Sequence, residues 1–235
     1  MKILITGTSS GLGFGLANYY LQQNHTVYGI SRRPNSELEN FKNFSFLSQD
    51  LSDFEETEKN IAAFLKDTDN LDLVILNAGM LNEIKDMKDT SLEEIKKVMD
   101  VNVWSNKVII DTLFLELRTI GQVVAISSGA SVSGARGWNA YSLSKATLNM
   151  LISLYANEQA QTHFCALAPG LINTGMQAYI SGVSDELDFP TIDRLKKVRK
   201  SGEMPTIEEA AQINAQAIGR LKQYDSGSFI DVRRL

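Results

Sequence analysis

The sequence predicts an α/β fold: a doubly wound parallel sheet of about seven strands with a layer of helices on each side, three layers in all. Three observations carry that prediction. Short β-rich runs alternate with longer helical patterns from the first residue, the signature of successive βα units. Runs such as Leu71-Asp72-Leu73-Val74-Ile75-Leu76 and Gln122-Val123-Val124-Ala125-Ile126 are mostly apolar, as strands covered on both faces require. The first run ends in a glycine-rich turn that leads straight into a helical pattern.

In chain order, strands are expected near residues 2–6, 26–30, 44–48, 72–76, 121–127, 162–167 and 227–231, and helices near 12–23, 53–66, 92–118, 139–160 and 207–221. Two helix starts are marked by chemistry: Ser91 with Glu94, and Thr206 with Glu209 just after Pro205, have capping-box spacing. Residues 175–204 have weak periodicity, scattered Gly, Ser and Asp, and a mixed basic run from Lys196 to Lys200. They read as an irregular segment covering a substrate site, within one domain that spans residues 1–235.

Composition removes several classes. With 43% hydrophobic and 22% charged residues, the 235-residue chain is neither disordered, collagenous nor coiled coil. A single Cys165 makes no internal disulfide, and the distant His25 and His163 do not build a zinc site of usual spacing, so no metal is expected and a reducing compartment fits best. The first apolar run, Ile3 to Ile5, is interrupted by Thr6 and Gly7, which leaves neither a signal-peptide core nor a membrane span. The expectation is a soluble, cytoplasmic protein. A net charge of −5 disfavours a nucleic-acid partner.

The turn after the first strand reads Thr6-Gly7-Thr8-Ser9-Ser10-Gly11-Leu12-Gly13. Gly7 would permit the tight turn, Gly11 the close approach of a phosphate, and Gly13 close packing of helix on strand, while the amides at the helix start would hold a pyrophosphate. The competing reading is a glycine-rich turn without a ligand. Farther on, the second strand ends at Ile30-Ser31-Arg32-Arg33, where a dinucleotide site chooses its cofactor. A carboxylate there would accept the ribose hydroxyls of NAD, and positive charge suits the 2'-phosphate of NADP. Residues 1–36 contain Lys2, Arg32 and Arg33 and no Asp or Glu, so Arg32 and Arg33 point to NADP(H); a solvated surface pair is the alternative.

A second pattern suggests a reacting centre. Tyr141 and Lys145 are four residues apart, a spacing expected about 0.4 times by composition alone, so its surroundings must decide. From Asn139 to Ala156 the helical pattern holds one charged residue, Lys145, and is apolar on most faces. A lysine there loses hydration and is either functional or well paired. On one helix face, its ammonium would lower the pKa of the Tyr141 phenol. Ser128 follows the strand ending at Ser127, at the end of the sheet where ligands bind, and its hydroxyl could polarise a carbonyl.

The Thr-Gly-x-x-x-Gly-x-Gly loop departs from the commoner G-x-G-x-x-G spacing, and it resembles the cofactor loop of the short-chain dehydrogenase/reductase family, whose members have a Rossmann-type fold. The resemblance extends to Asp50-Leu51, which would contact the adenine, and to Asn77-Ala78-Gly79, which would border the cofactor, with Leu76 in place of a more usual Asn. It implies that Ser128 orients the substrate, that Tyr141 donates the proton, that Lys145 also holds the nicotinamide ribose, and that Asn102 anchors a water linking Lys145 to solvent. Ser127 is the less favoured serine. Pro169-Gly170-Leu171-Ile172-Asn173-Thr174 resembles the family's segment beside the nicotinamide, with Thr174 on the carboxamide. The implied chemistry is NADPH-dependent reduction of a small-molecule carbonyl.

The texts around Ser127-Ser128-Gly129, Gly137-Trp138, Thr174-Gly175-Met176-Gln177 and Ser226-Gly227-Ser228-Phe229-Ile230-Asp231 resemble the sepiapterin reductase and benzil reductase branch, which reduces vicinal dicarbonyls. By that resemblance Asp231 would anchor substrate; otherwise it is a strand-end carboxylate exposed to water or paired with Arg233. Trp138, Met176, Gln177 and Tyr179 are candidates for the pocket wall or for core. A 3-oxoacyl thioester reductase and a nonenzymatic NADPH-binding regulator on the same fold remain as alternatives. The helices at 92–118 and 139–160 offer surface for the two-fold contact the family uses, so a homodimer or homotetramer is expected.

Overall fold

In the computed structural model, residues 1–184 and 188–235 are described. Strand β1 (Lys2–Thr6) sends Ile3 and Ile5 to one face and Leu4 to the other, all fully buried. The same alternation recurs in β4 (Leu73–Leu76), β5 (Gln122–Ile126) and β6 (His163–Ala168): Ile75, Val124 and Cys165 join one core, and Val74, Val123 and Phe164 the other. With β2 (Thr26–Ser31), β3 (Phe44–Ser48) and β7 (Ser228–Asp231) they form a sheet of order β3-β2-β1-β4-β5-β6-β7, parallel throughout. Apolar side chains on both faces of the central strands are what a covered parallel sheet needs, and this is the doubly wound α/β architecture that the sequence predicts.

Helices α1 (Gly11–Gln22) and α9 (Ile207–Arg220) cover the first face, through Leu16, Ala17 and Leu21 against Ala211 and Ile218. The other face is covered by α2 (Phe54–Leu65), α4 (Ser105–Glu116) and, after the one-turn α5 (Ala130–Ser133), α6 (Asn139–Glu158), with Ile61, Ile109, Leu113, Leu148 and Ile152 turned inward. Both expected capping boxes form: Ser91 starts α3 (Leu92–Met99) and Thr206 starts α9, each exchanging backbone and side-chain hydrogen bonds with its Glu. Strand order reverses between β1 and β4, so their carboxyl ends open a crevice, and this is where such folds bind ligands. Thr6 pins the crevice: its Oγ1 accepts from the backbone N–H groups of Asn77 (3.0 Å) and Ala78 (2.9 Å).

Two expectations need correction. The helix expected at 92–118 is broken into α3 and α4 by a π-helical turn at Asp100–Trp104, so apolar periodicity continues across a change in hydrogen-bond register. The segment expected to be irregular at 175–204 contains α7 (Gly175–Ser181) and α8 (Pro190–Lys200). In α8, Pro190 supplies a favourable start, and Ile192 and Leu195 pack with Ile84, Trp138, Ile180 and Phe189 into a third apolar cluster. The basic residues on the outer face of α8 conceal that stripe in the sequence. Asp185, Glu186 and Leu187 of the same segment lie outside the described residues.

Candidate active site

The chain leaves β1 through Gly7, whose φ of +77° suits glycine and whose N–H donates to the Ile30 carbonyl at 2.7 Å. Gly13 packs beneath this turn: a Cβ there would fall 2.3 Å from both the Gly7 carbonyl oxygen and Asn77 Nδ2. Any larger residue would push α1 off the sheet. At the head of α1, Ser10 caps without a side-chain hydrogen bond, and the first turn holds no acidic residue. The amides of that turn are left for an anion, and Gly11 leaves the approach open as far as Thr174.

Across the crevice, Ser31 Oγ donates to the Arg33 carbonyl at 2.8 Å, and Ser48 Oγ donates to that of Arg32 at 3.1 Å. The two arginines are thereby held on a shaped turn at the end of β2. Asp50 beside them is held below the ordinary carboxylate range, chiefly by hydrogen bonds from the Ser52 backbone and hydroxyl and also by the charge of Arg32. Asn77 Nδ2 donates to the Thr6 carbonyl at 2.9 Å, tying the ends of β1 and β4 together.

At the other end, Lys145 is 4% exposed. Its Nζ donates to the Ile126 carbonyl at the end of β5 at 2.7 Å, and with no carboxylate partner its burial lowers its pKa to about 8. Tyr141 lies one turn earlier on α6, its ring centroid 5.8 Å from that nitrogen. The expected depression of the phenol pKa is not what this geometry gives. Burial raises it, and the Ser128 hydroxyl facing it opposes the rise. The ammonium bonds to a carbonyl rather than to the phenol oxygen, so desolvation dominates. Ser128 also accepts from the Ala130 N–H at 3.1 Å, whereas Ser127 is buried and its hydroxyl donates to Asn149 Oδ1.

Asn102 sits fully buried in the π turn. Its Oδ1 accepts from the Met80 N–H (2.8 Å), and its Nδ2 donates to the Met80 carbonyl (2.9 Å) and to Ser144 Oγ (2.9 Å). It fastens the loop after β4 to α6. A Cβ on Gly79 would stand 3.3 Å from Asn102 Oδ1 and 3.5 Å from Lys145 Nζ, so both groups flank that glycine.

Every site residue named from the sequence lines one cleft of about 1200 Å³, except Gly13, Asn102 and Asp231. Gly13 lies under the loop and Asn102 behind it. Of the two readings of Asp231, the structure shows the pairing: its carboxylate is engaged by Arg233, and Arg233 is the residue that reaches the cleft. Arg233 holds that carboxyl below its ordinary range. Trp138, Met176 and Gln177 line the cleft, and Trp138 and Met176 also belong to the third apolar cluster, so wall and core coincide there. Sequence reasoning missed Lys97, Thr191 and Arg194 at the cleft and Ser144 behind it; Pro190 at a helix start was the available signal for α8.

Comparison with known proteins agrees with this geometry. The model of the short chain dehydrogenase family matches residues 1–183. The chain belongs to the short-chain dehydrogenase/reductase family. Its relatives include a benzil reductase, (S)-benzoin forming, of Bacillus cereus, 31% identical over 89% of this chain and 90% of that protein. An NADPH-dependent pterin aldehyde reductase of Arabidopsis thaliana is 32% identical over 79% of this chain and 80% of that protein. The solved structure of a short-chain dehydrogenase/reductase from Saccharomyces cerevisiae superposes with a TM-score of 0.87 at 24% identity, covering 98% of this chain and 95% of that one, a likeness of fold. The protein is therefore an oxidoreductase acting on carbonyl or CH–OH groups, in the benzil and sepiapterin reductase-like branch. Members of this family bind NAD(P)(H), and the residues present fit such a group. Among the described residues no side chain caps the first turn of α1, the loop lets backbone approach, and the cleft exceeds the ~300–1000 Å³ of an ordinary small-ligand pocket.

Proposed function

We propose that this protein is an NADPH-dependent carbonyl reductase that reduces a ketone or vicinal dicarbonyl, with Tyr141 as proton donor. The observation that carries this reading is the joining, in one cleft, of an uncapped helix start and the Arg32–Arg33 turn with the Ser128 and Tyr141 hydroxyls above Lys145. Gly7, Ser9, Ser10, Gly11 and Leu12 would cradle the pyrophosphate and Arg32 and Arg33 the 2'-phosphate. Ser31, Asp50 and Leu51 would border the adenosine, Asn77, Ala78 and Gly79 the middle of the dinucleotide, and Pro169, Gly170, Ile172 and Thr174 the nicotinamide. When bound, that cofactor supplies hydride to the carbonyl carbon.

The chain supplies the rest. Ser128 holds the carbonyl oxygen by hydrogen bond, and Tyr141 transfers its hydroxyl proton to that oxygen as negative charge develops on it. A phenol raised by burial stays protonated at neutral pH, which is the form a reductase needs. Lys145, cationic below about pH 8, offsets the charge left on the phenolate. Trp138, Met176 and the α7–α8 cluster exclude water from the reacting centre. The pterin aldehyde reductase relative, NADPH-dependent, and the benzil reductase relative support both the cofactor and the carbonyl class.

We take residues 1–235 to act as one cytoplasmic catalytic unit. Leu115 on α4 and Met150 and Leu154 on α6, all more than half exposed, would be covered in a two-fold dimer or tetramer, checked by sedimentation velocity. The functional test is NADPH oxidation on addition of a panel of 1,2-diketones, pterin carbonyls and 3-oxoacyl thioesters. Turnover of a diketone with NADPH favoured over NADH is the expected result. Cofactor binding without turnover of any member, or thioester turnover alone, would sink the proposal.

A further inference from the structure

Arg233 lines the cleft and has no place in that scheme. Arg233 lies in the short turn Val232–Arg234 that follows β7. Asp231, itself 8% exposed, holds it three ways: Oδ1 accepts from the Arg233 backbone N–H (3.0 Å) and from Nε (2.8 Å), and Oδ2 accepts from Nη2. This clamp fixes one edge of the guanidinium and aims the group at the loop after β5. A Cβ on Gly129 would stand 3.3 Å from Nη2, so the cation rests against the backbone of the residue that follows Ser128. Its stem passes Gly170, where a Cβ would meet Cγ at 4.0 Å. Nη1 has no hydrogen-bond partner among the described residues, and the side chain is 56% exposed on the cleft wall.

The charge around it is lopsided. Among the described residues Lys97 and Arg194 also line the cleft, and Glu83, which lines it too, is engaged by Lys85. The chain as a whole carries −5, so this local excess of cations runs against its overall charge. Arg233 thus stands against the residue next to Ser128, so a substituent on a carbonyl held by the Ser128 hydroxyl would have this guanidinium as a neighbour. A planar fork with donors to spare suits a carboxylate better than a second neutral carbonyl.

We propose that Arg233, oriented by Asp231, is a specificity-determining residue that binds a carboxylate next to the reacting carbonyl, so that the preferred substrates are 2-oxo acids. This deepens the carbonyl reductase reading and rests on it. The test compares benzoylformate with its ethyl ester, which share a ketone and differ in charge, with NADPH as reductant. The native protein is expected to favour the acid in kcat/KM. Arg233→Met should lower the acid-to-ester ratio about 30-fold, mostly through KM, and Arg233→Lys should restore part of it. The Kd for NADPH, read by fluorescence titration, should move less than about twofold.

A native preference for the ester, or a ratio that Arg233→Met leaves in place, overturns the assignment. So does a loss of NADPH affinity in place of the ratio change, because the cation would then serve the cofactor. Failure of the acid, the ester and neutral diketones alike to consume NADPH would overturn the underlying carbonyl reductase reading.

Discussion

The two halves of the cleft are built from different materials. The half near β1 is made of backbone: helix amides, a turn at positive φ, and strand ends pinned by Thr6 and Asn77. The half near β5 and β7 is made of side chains from α6, α7, α8 and the turn after β7, brought together from distant parts of the chain. Backbone presents the same donors whatever side chains surround it, so the first half suits a ligand that does not vary. Side chains on separate segments can be exchanged one at a time, so the second half is where members of one family differ in substrate.

Substitutions can break or sharpen that contrast. The largest expected effect is that of Tyr141→Phe, which should lower kcat by about a thousandfold while NADPH binding holds, since general acid catalysis contributes roughly 10²–10⁴-fold. A near-normal rate would end the assignment of chemistry to the side-chain half. Next comes Asn102→Ala, which removes three hydrogen bonds of a fully buried side chain at the seam between the halves. It should reduce unfolding free energy by about 3 kcal/mol in urea titrations. Arg32→Ala with Arg33→Ala should reduce kcat/KM for NADPH by about 30-fold, roughly 2 kcal/mol, with little change for NADH. Equal losses with both cofactors would show that the pair does not read the 2'-phosphate.

The smallest effect concerns Lys145. Its folded pKa, about 8, lies below the ordinary 10.5, so between those values the folded chain binds fewer protons than the unfolded one and stability rises with pH. Without cofactor, the Tm of the native protein should therefore climb relative to that of Lys145→Met as pH is raised through that window. Parallel curves would mean that the amine is better solvated than its burial implies.

The same contrast explains what could be read in the sequence. Strand alternation, the glycine turn and both capping boxes are local patterns, and each survives as written because neighbours in sequence are neighbours in space. The grouping of Ser128, Tyr141 and Lys145 was legible for the same reason: one strand end and one helix face suffice to assemble it. The pairing of Arg233 with Asp231 was one of two readings, but its place in the cleft was not legible, because that depends on β7 pairing with β6 and on the approach to Gly129. In α8 a basic outer face hid Ile192 and Leu195, and the phenol of Tyr141 was expected to feel a charge that the Ile126 carbonyl instead absorbs. Spacing announces which groups share a face; it does not say which of them touch.

The wide turn at Asp100–Trp104 has a consequence for how the chain tolerates change. It holds one residue more than regular winding would, and the bulge takes up that residue locally, so the helices on either side keep their faces. Deleting one residue there would return the segment to regular winding with Ile109 and Leu113 still turned to the sheet, but it would withdraw Asn102 from Met80 and Ser144, so a length change that the packed face tolerates would here unfasten the site.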